Sequence, residues 1–194
     1  MLPSSPDPIV PKLVADAYGD PWNHVDRDER IDAIWGEAGA ARLRAIVADD
    51  GAPLKARLVA CEVLFKRDSP SVWQVGKGKV AQLYARALAE NATGFANAWG
   101  LLYEHNDAGP LGLRFLQLGT DAIPALRPLL ADERRTLVYD GSEEATVGNG
   151  YGYRVKDFAA FYLGRIVKAK LPYQRDVAAR DRAIADLERS LPSP

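Results

Sequence analysis

The residues Val155–Val167, VKDFAAFYLGRIV, carry the clearest helical pattern in this sequence. Their apolar side chains recur at the spacing of one helix face, at Val155, Phe158, Ala159, Tyr162, Leu163 and Ile166. Residues 10–17 and 80–88 repeat that spacing, and no alternating strand pattern of useful length competes with it. The sequence therefore predicts an all-α fold.

A pair of amphipathic segments occurs twice, at residues 40–66 and 122–167. In each copy, a helix ending in an acidic residue, Asp49 or Asp132, precedes a helix with an alanine in its apolar stripe, Ala60 or Ala159. Basic residues precede each stripe, namely Lys55, Arg57, Arg154 and Lys156. Small residues let paired helices approach closely, so we expect antiparallel helix pairs joined by short loops.

This duplicated pattern resembles the HEAT repeat, in which an aspartate closes the first helix and an arginine early in the second helix interacts near the turn. The resemblance covers residues 40–66 and 122–167, and residues 73–105 could hold a third, degenerate pair. It implies a short α-α superhelix that serves as a scaffold for other macromolecules. A compact irregular helical bundle is the alternative, because helical solenoids usually need three or more repeats.

Length and charge limit the classes of protein that fit. We expect one helical domain over residues 1–194, with a flexible tail at residues 1–8, since compact domains run to roughly 100–200 residues. The 25 Lys and Arg residues against 26 Asp and Glu residues give a net charge of -1. That balance gives no broad attraction to phosphate, and no nucleic-acid partner is expected.

The single cysteine, Cys61, excludes an internal disulfide and fits a small buried hydrophobe on the face of a helix. No apolar run approaches the roughly 20 residues that cross a bilayer, and residues 1–11 lack the pattern of a signal peptide. A cytoplasmic location is the default expectation. An exported mature form, with its signal replaced by Met1, is the alternative.

The two copies differ by an insertion at residues 136–152. The distance from the acidic residue to the alanine of the stripe is 11 positions in the first copy and 27 in the second. Insertions into a repeat project from one end of a helical stack and often form its binding face. The candidate protein-binding residues are Tyr139, Asp140, Glu143, Glu144, Asn149, Tyr151 and Tyr153.

A purely structural role competes with binding at this insertion. The segment could be a surface loop or small hairpin that buries Tyr151 and Tyr153, and a calcium site is a weaker reading because the EF-hand spacing is missing. If the segment only binds, its replacement by a short linker should leave the helical fold intact and abolish partner capture.

The favoured function is a non-catalytic scaffold that binds a protein partner, with an immunity or inhibitor protein as one form of it. The sequence assigns no catalytic residue and no cofactor, and it leaves the oligomeric state open. The alternative is a metal-dependent helical hydrolase using Glu104, His105 and Asp107. His105 also fits a helix C-terminus, where the helix dipole favours a histidine without any catalytic role.

Overall fold

A computed structural model describes residues 7–15, 27–103, 107–141, 143–171 and 175–192. These residues form helices and their connections, and within them the only ladder contact is an isolated bridge between Leu101 and Asp107. The prediction of an all-α fold is confirmed. Among the described helices, none combines the length and apolar composition that crossing a bilayer requires.

The chain divides into two compact units, residues 1–83 and residues 84–194, with the division inside one helix. Unit 1 contains α1 (Ile9–Val14), α2 (Arg27–Ala48), α3 (Leu54–Arg67), α4 (Ser69–Val75) and the start of α5 (Lys77–Ala89). Unit 2 contains the rest of α5, then α6 (Gly112–Leu118), α7 (Ile123–Leu126), α8 (Glu143–Gly150), α9 (Val155–Val167) and α10 (Val177–Ser190). Short 3-10 helices at Ala96–Trp99, Gly119–Ala122 and Arg127–Ala131 lie between them.

In unit 1, the helices α2 and α3 pack against each other. Gly39 interrupts α2 with a φ of 67°, a backbone conformation that glycine adopts without strain, so the segment after it behaves as a separate helix. Arg57 of α3 is buried, donates from Nε to the Val47 carbonyl at 3.1 Å and pairs with Asp50 at 2.9 Å. The arginine thus reaches the turn between α2 and α3, with Asp50 as its carboxylate partner.

The core of unit 1 is apolar and includes the cysteine. Cys61 is fully buried in α3, which confirms its reading as a small hydrophobe. At the other end of this unit, Asp7 accepts from the backbone N–H of Ile9 at 3.0 Å and pairs with Arg42 at 2.5 Å. Residues 1–6 of the predicted flexible tail lie outside the described residues.

In unit 2, α9 packs against α6, α7 and α10. Its Tyr162 is buried, donates its hydroxyl proton to the Trp99 carbonyl and lies 5.1 Å from the ring of Phe115. Gly112 of α6 leaves space for that tyrosine, because a Cβ atom there would meet the Tyr162 hydroxyl. The stripe quoted from the sequence is therefore the central element of this unit's core.

The insertion is not a loop or a small hairpin throughout, and that prediction is wrong for residues 143–150. They form helix α8, after a run at residues 132–140 that has no turn or bend. Leu137, Tyr139 and Ala145 are buried in unit 2. Replacing the whole insertion by a linker would therefore remove part of the core, and a binding test needs point substitutions instead.

Candidate protein-binding site

The run at residues 132–140, here called the extended segment, is held to unit 2 along one edge. The carbonyls of alternate residues accept hydrogen bonds of 2.8 to 3.0 Å, from Lys156 N to Asp132, Val155 N to Arg134, Asn91 Nδ2 to Thr136, Ala96 N to Val138 and Asn97 Nδ2 to Asp140. Alternate residues of an extended chain direct their backbone groups to the same edge. The even-numbered residues therefore define a paired edge.

At residues 137–140, the side chains of the extended segment also alternate between the core and solvent, whereas residues 133–135 are all exposed. Leu137 and Tyr139 are buried, whereas Val138 between them is 51% exposed. This is the pattern of a strand with one covered face. The segment behaves as a single strand attached to helices, without a neighbouring strand among the described residues.

Asn149, near the end of α8, pairs with the backbone of Tyr139. The Tyr139 N–H donates to Asn149 Oδ1 at 2.8 Å, and Asn149 Nδ2 donates to the Tyr139 carbonyl at 2.9 Å. Gly148 lets α8 lie against Tyr103, because a Cβ atom at Gly148 would lie 2.3 Å from the ring of Tyr103. The low helix propensity of this glycine-rich segment is thus overridden by tertiary packing.

Two tyrosines of the predicted protein-binding set are buried in the core of unit 2. Tyr139 is 4% exposed and Tyr153 is 3% exposed, and burial raises the pKa of both phenols. Both hydroxyls bond to Leu102: its N–H donates to the Tyr139 oxygen, and the Tyr153 hydroxyl donates to its carbonyl, each at 3.3 Å. Their rings therefore give the segment its position and offer little area to a partner.

The other predicted residues have varied positions. Tyr151 is half-buried, stacks on Tyr153 with ring centroids 5.4 Å apart, and lies under the guanidinium of Arg175. Asp140 is exposed, and its backbone exchanges two hydrogen bonds with the Asn97 side chain. The side chains of Glu143 and Glu144 lie outside the described residues. The binding role of the whole set stays a prediction.

A buried cluster of charges lies under this region. Asp157 is fully buried and accepts from Arg154 at 3.1 Å and from Arg180 at 3.2 Å, while Arg154 also pairs with Asp181 at 2.7 Å. Burial lowers the pKa of the Arg154 guanidinium, but hydrogen bonds to Asp157 and Asp181 outweigh it and raise that pKa. Arg180 bonds to the Tyr151 carbonyl at 2.7 Å, so α10 is fastened to the end of the insertion.

Apolar side chains that the sequence did not single out are exposed near the extended segment. Phe95 is 48% exposed and Val138 is 51% exposed, and the Ala96 N–H donates to the Val138 carbonyl at 2.8 Å. We call Phe95 and Val138 the apolar patch. Val147 of α8 is a further exposed apolar residue at 49%. Phe95 has an extended backbone and immediately precedes the 3-10 helix Ala96–Trp99.

A cavity of about 250 Å³ lies between the extended segment and the end of the insertion. Its lining consists of Arg135, Leu137, Val138, Tyr139, Gly148, Asn149, Gly152 and Tyr153. Arg135 is the one residue of this lining that carries a formal charge at neutral pH. Gly148 and Gly152 lie on its far side, where the Tyr103 ring fills the Cβ direction of Gly148 and the Arg135 guanidinium faces that of Gly152.

The alternative metal site cannot be built from what the structure describes. Glu104 and His105 lie outside the described residues, and Asp107 is exposed, with its carbonyl accepting from the Leu101 N–H at 3.0 Å. In the described ranges, no group of three or more His, Cys, Asp or Glu residues is arranged to hold a metal ion. The hydrolase alternative stays an untested prediction.

Comparisons of the chain with protein-family models, with curated proteins and with solved structures find no match. The HEAT-like arrangement therefore rests on the duplicated pattern alone.

Proposed function

We propose that this chain is a non-catalytic helical scaffold that binds a protein partner through the face formed by the insertion and the neighbouring apolar patch. The observation that carries the proposal is that two exposed apolar residues, Phe95 and Val138, lie on backbone segments joined by the hydrogen bond from the Ala96 N–H to the Val138 carbonyl. Contiguous exposed apolar side chains with polar neighbours are typical of protein-binding surfaces.

The rigidity of the surface supports this proposal. The extended segment is fixed by hydrogen bonds along its paired edge and by the buried rings of Tyr139 and Tyr153. A surface that is already ordered loses little conformational entropy when a partner docks, and this favours affinity. The tyrosines predicted to contact a partner would then contribute by holding Val138 and Asp140 in place.

The charges along the extended segment favour a protein over a polyanion. Arg134 pairs with Asp132 at 2.6 Å, and Lys156 pairs with Glu133 at 3.3 Å and with Asp181 at 3.1 Å, so these positive charges have acidic neighbours, whereas Arg135 has none among the described residues. A surface with charges of both signs suits contact with a polar protein surface. An immunity or inhibitor protein, which blocks an enzyme or a toxin by occupying its surface, is the form of this function that we favour.

The test is affinity capture from lysate of the source organism with the full chain and three variants. Val138→Asp and Phe95→Asp place a charge in the apolar patch, and Leu113→Asp is the matched control because Leu113 is a 45% exposed apolar residue on α6. We expect the two patch variants to lose a partner that the wild type and Leu113→Asp retain, with Kd raised about tenfold or more.

All three variants change exposed positions, so unfolding midpoints should stay close to that of the wild type. Equal capture of the partner by Val138→Asp and by Leu113→Asp would contradict the proposal. If the captured partner is a toxin, co-expression of the wild type should rescue growth, and co-expression of Val138→Asp should not.

A further inference from the structure

The second edge of the extended segment is open at Arg135 and Leu137. Odd-numbered residues direct their backbone groups away from the paired edge, and Asn149 occupies those of Tyr139. Within the described ranges, the backbone N–H and C=O groups of Arg135 and Leu137 make no hydrogen bond. Both residues line the 250 Å³ cavity. The N–H and C=O groups of these two residues are therefore spaced as in a β-strand, and no second strand lies beside them.

The contact between Asn149 and Tyr139 shows what chemistry fits this edge. A carboxamide side chain carries an N–H donor and a C=O acceptor, as a peptide group does. Asn149 uses both of them on one residue of the segment, at 2.8 and 2.9 Å. The next two odd-numbered residues back along the same edge, Leu137 and Arg135, offer the same pair of groups. A peptide backbone can satisfy these groups as Asn149 satisfies those of Tyr139.

We propose that this open edge accepts an extended acidic peptide segment of the protein partner, which adds a β-strand along Arg135 and Leu137. The inference rests on the proposed function and names how the partner binds. Addition of a strand to an exposed edge is an established mode of peptide recognition, in which main-chain hydrogen bonds give affinity and side-chain pockets give specificity.

The space beside the edge suits a backbone. Gly152 has a φ of 58°, which favours glycine, and a Cβ atom there would lie 3.4 Å from the Arg135 guanidinium. Gly148 also lines the cavity, but its Cβ direction is filled by the Tyr103 ring. A second strand lies about 4.8 Å from its neighbour, and the space for it is the cavity that Arg135 and Leu137 line.

The charge at the edge selects an acidic occupant. Arg135 is exposed and has no ion-pair partner among the described residues, whereas its neighbour Arg134 is paired with Asp132. An aspartate or glutamate of the incoming strand opposite Arg135 would supply the missing partner, because opposite charges on facing strand positions stabilise each other. A second copy of this chain supplies no carboxylate here: antiparallel pairing centred on Arg135 would place two arginines face to face, and pairing of Arg135 with Leu137 would leave the guanidinium without a partner.

The probe is a phage-displayed library of random peptides of about twelve residues, panned against the immobilised full chain. We expect selected peptides to be enriched in acidic residues within an alternating apolar pattern. Their affinities are then compared among three variants of one exposed position. Arg135→Ala removes the charge and keeps the N–H, Arg135→Pro removes both, and Arg135→Glu reverses the charge.

The variants separate the contribution of the charge from that of the backbone. Arg135→Ala should weaken binding about threefold to tenfold, as expected for one partly exposed ion pair. Arg135→Pro should weaken it at least about tenfold beyond Arg135→Ala, because a backbone donor is lost. Arg135→Glu should remove the preference for acidic peptides. Equal binding by Arg135→Pro and Arg135→Ala, or selection of no peptide at all, would overturn the inference.

Amide hydrogen exchange gives a readout that does not depend on any variant folding. In the free chain, the amides of Arg135 and Leu137 should exchange at least about tenfold faster than that of Tyr139, which is hydrogen bonded, and a bound peptide should slow both. Amides at residues 135 and 137 that are already protected in the free chain, or that stay fast with peptide bound, would contradict strand addition.

Failure of this inference is distinguishable from failure of the proposed function. A partner lost by Val138→Asp but retained by Arg135→Pro would leave the scaffold proposal standing and overturn strand addition. Dimers of the free chain that Arg135→Pro abolishes in sedimentation would show that the edge pairs with a second copy instead of a peptide. Dissociation of a captured partner by the selected peptide would support both proposals.

Discussion

Asn149 completes the backbone hydrogen bonding of Tyr139, a residue ten positions earlier in the chain, through both ends of its side-chain amide. The pair links the last turn of α8 to the extended segment. It also marks the point where the open edge stops, since the residues before Tyr139 on that edge have no such partner among the described residues. One side chain therefore sets the length of the open edge.

Asn149→Ala should destabilise the fold by about 1–3 kcal/mol, because it leaves the N–H and C=O groups of Tyr139 without partners. Thr146→Ala, at an exposed position of the same helix, is the control and should change stability by less than about 0.5 kcal/mol. Urea unfolding measures both, and amide exchange at Tyr139 should accelerate in Asn149→Ala alone. Equal stability of the two variants would show that the Asn149 contact contributes nothing.

Asp157→Ala should cost about 3–5 kcal/mol of unfolding free energy, because it leaves the buried guanidinium groups of Arg154 and Arg180 without their shared carboxylate. Asp186→Ala removes the exposed partner of Arg189 and should change stability by no more than about 0.5 kcal/mol. Chemical denaturation of the two variants measures the contrast. A loss below about 1 kcal/mol in Asp157→Ala would mean that the cluster relaxes without cost.

Asp181 should make the stability depend on pH. Its hydrogen bond from Arg154 holds the pKa of the carboxyl below the ordinary 3.8, so its contribution is present above that value and is lost as pH falls through the lowered folded pKa. The carboxylate is partly exposed, so solvent screening limits the contribution to about 1 kcal/mol. The stability gap between wild type and Asp181→Asn should hold from about pH 7 to pH 5 and shrink below about pH 4.

Urea titrations at several pH values measure that gap, and the comparison cancels the other carboxylates with lowered pKa, Asp7, Asp50 and Asp132. A gap that stays constant down to about pH 2.5 would show that the charge of Asp181 does not stabilise the fold.

Gly112→Ala should destabilise the chain by about 1–3 kcal/mol, because its Cβ atom would overlap the hydroxyl of the buried Tyr162. Gly36→Ala is the matched substitution within α2, where a Cβ atom meets nothing within 4 Å. It should stabilise the helix by about 0.5–1 kcal/mol. Thermal unfolding distinguishes the two, and opposite shifts of the midpoint are expected. Rescue of Gly112→Ala by Tyr162→Phe would confirm the contact with the hydroxyl.

Periodicity was enough to predict the helices whose stability comes from one apolar face. Residues 155–167 and Leu54–Arg67 are helical and buried along the expected stripes, including Cys61. Capping was less predictable. Asp68 caps α4 by accepting from the Ser71 N–H, although Ser69 beside Pro70 offers a competing cap in the sequence.

The insertion was harder to predict, because its structure depends on contacts distant in sequence. Nothing local distinguishes Tyr139, which is buried, from a tyrosine of a binding loop; the hydrogen bond from Leu102 decides it. Gly148 and Gly150 lower the local helix propensity, yet α8 forms there. The open edge at Arg135 and Leu137 follows from alternation along the extended segment, which only the structure shows.

That alternation has a consequence for how the extended segment can change in length. Adding or removing one residue between Asp132 and Val138 would exchange the two edges on one side of the change, so that, with the pairing to α9 kept, the carbonyl now bonded to Ala96 would face the other edge. It would also turn Leu137 outward and Val138 inward. Changes of two residues would preserve both patterns. The extended segment should therefore tolerate insertions or deletions of two residues but not of one.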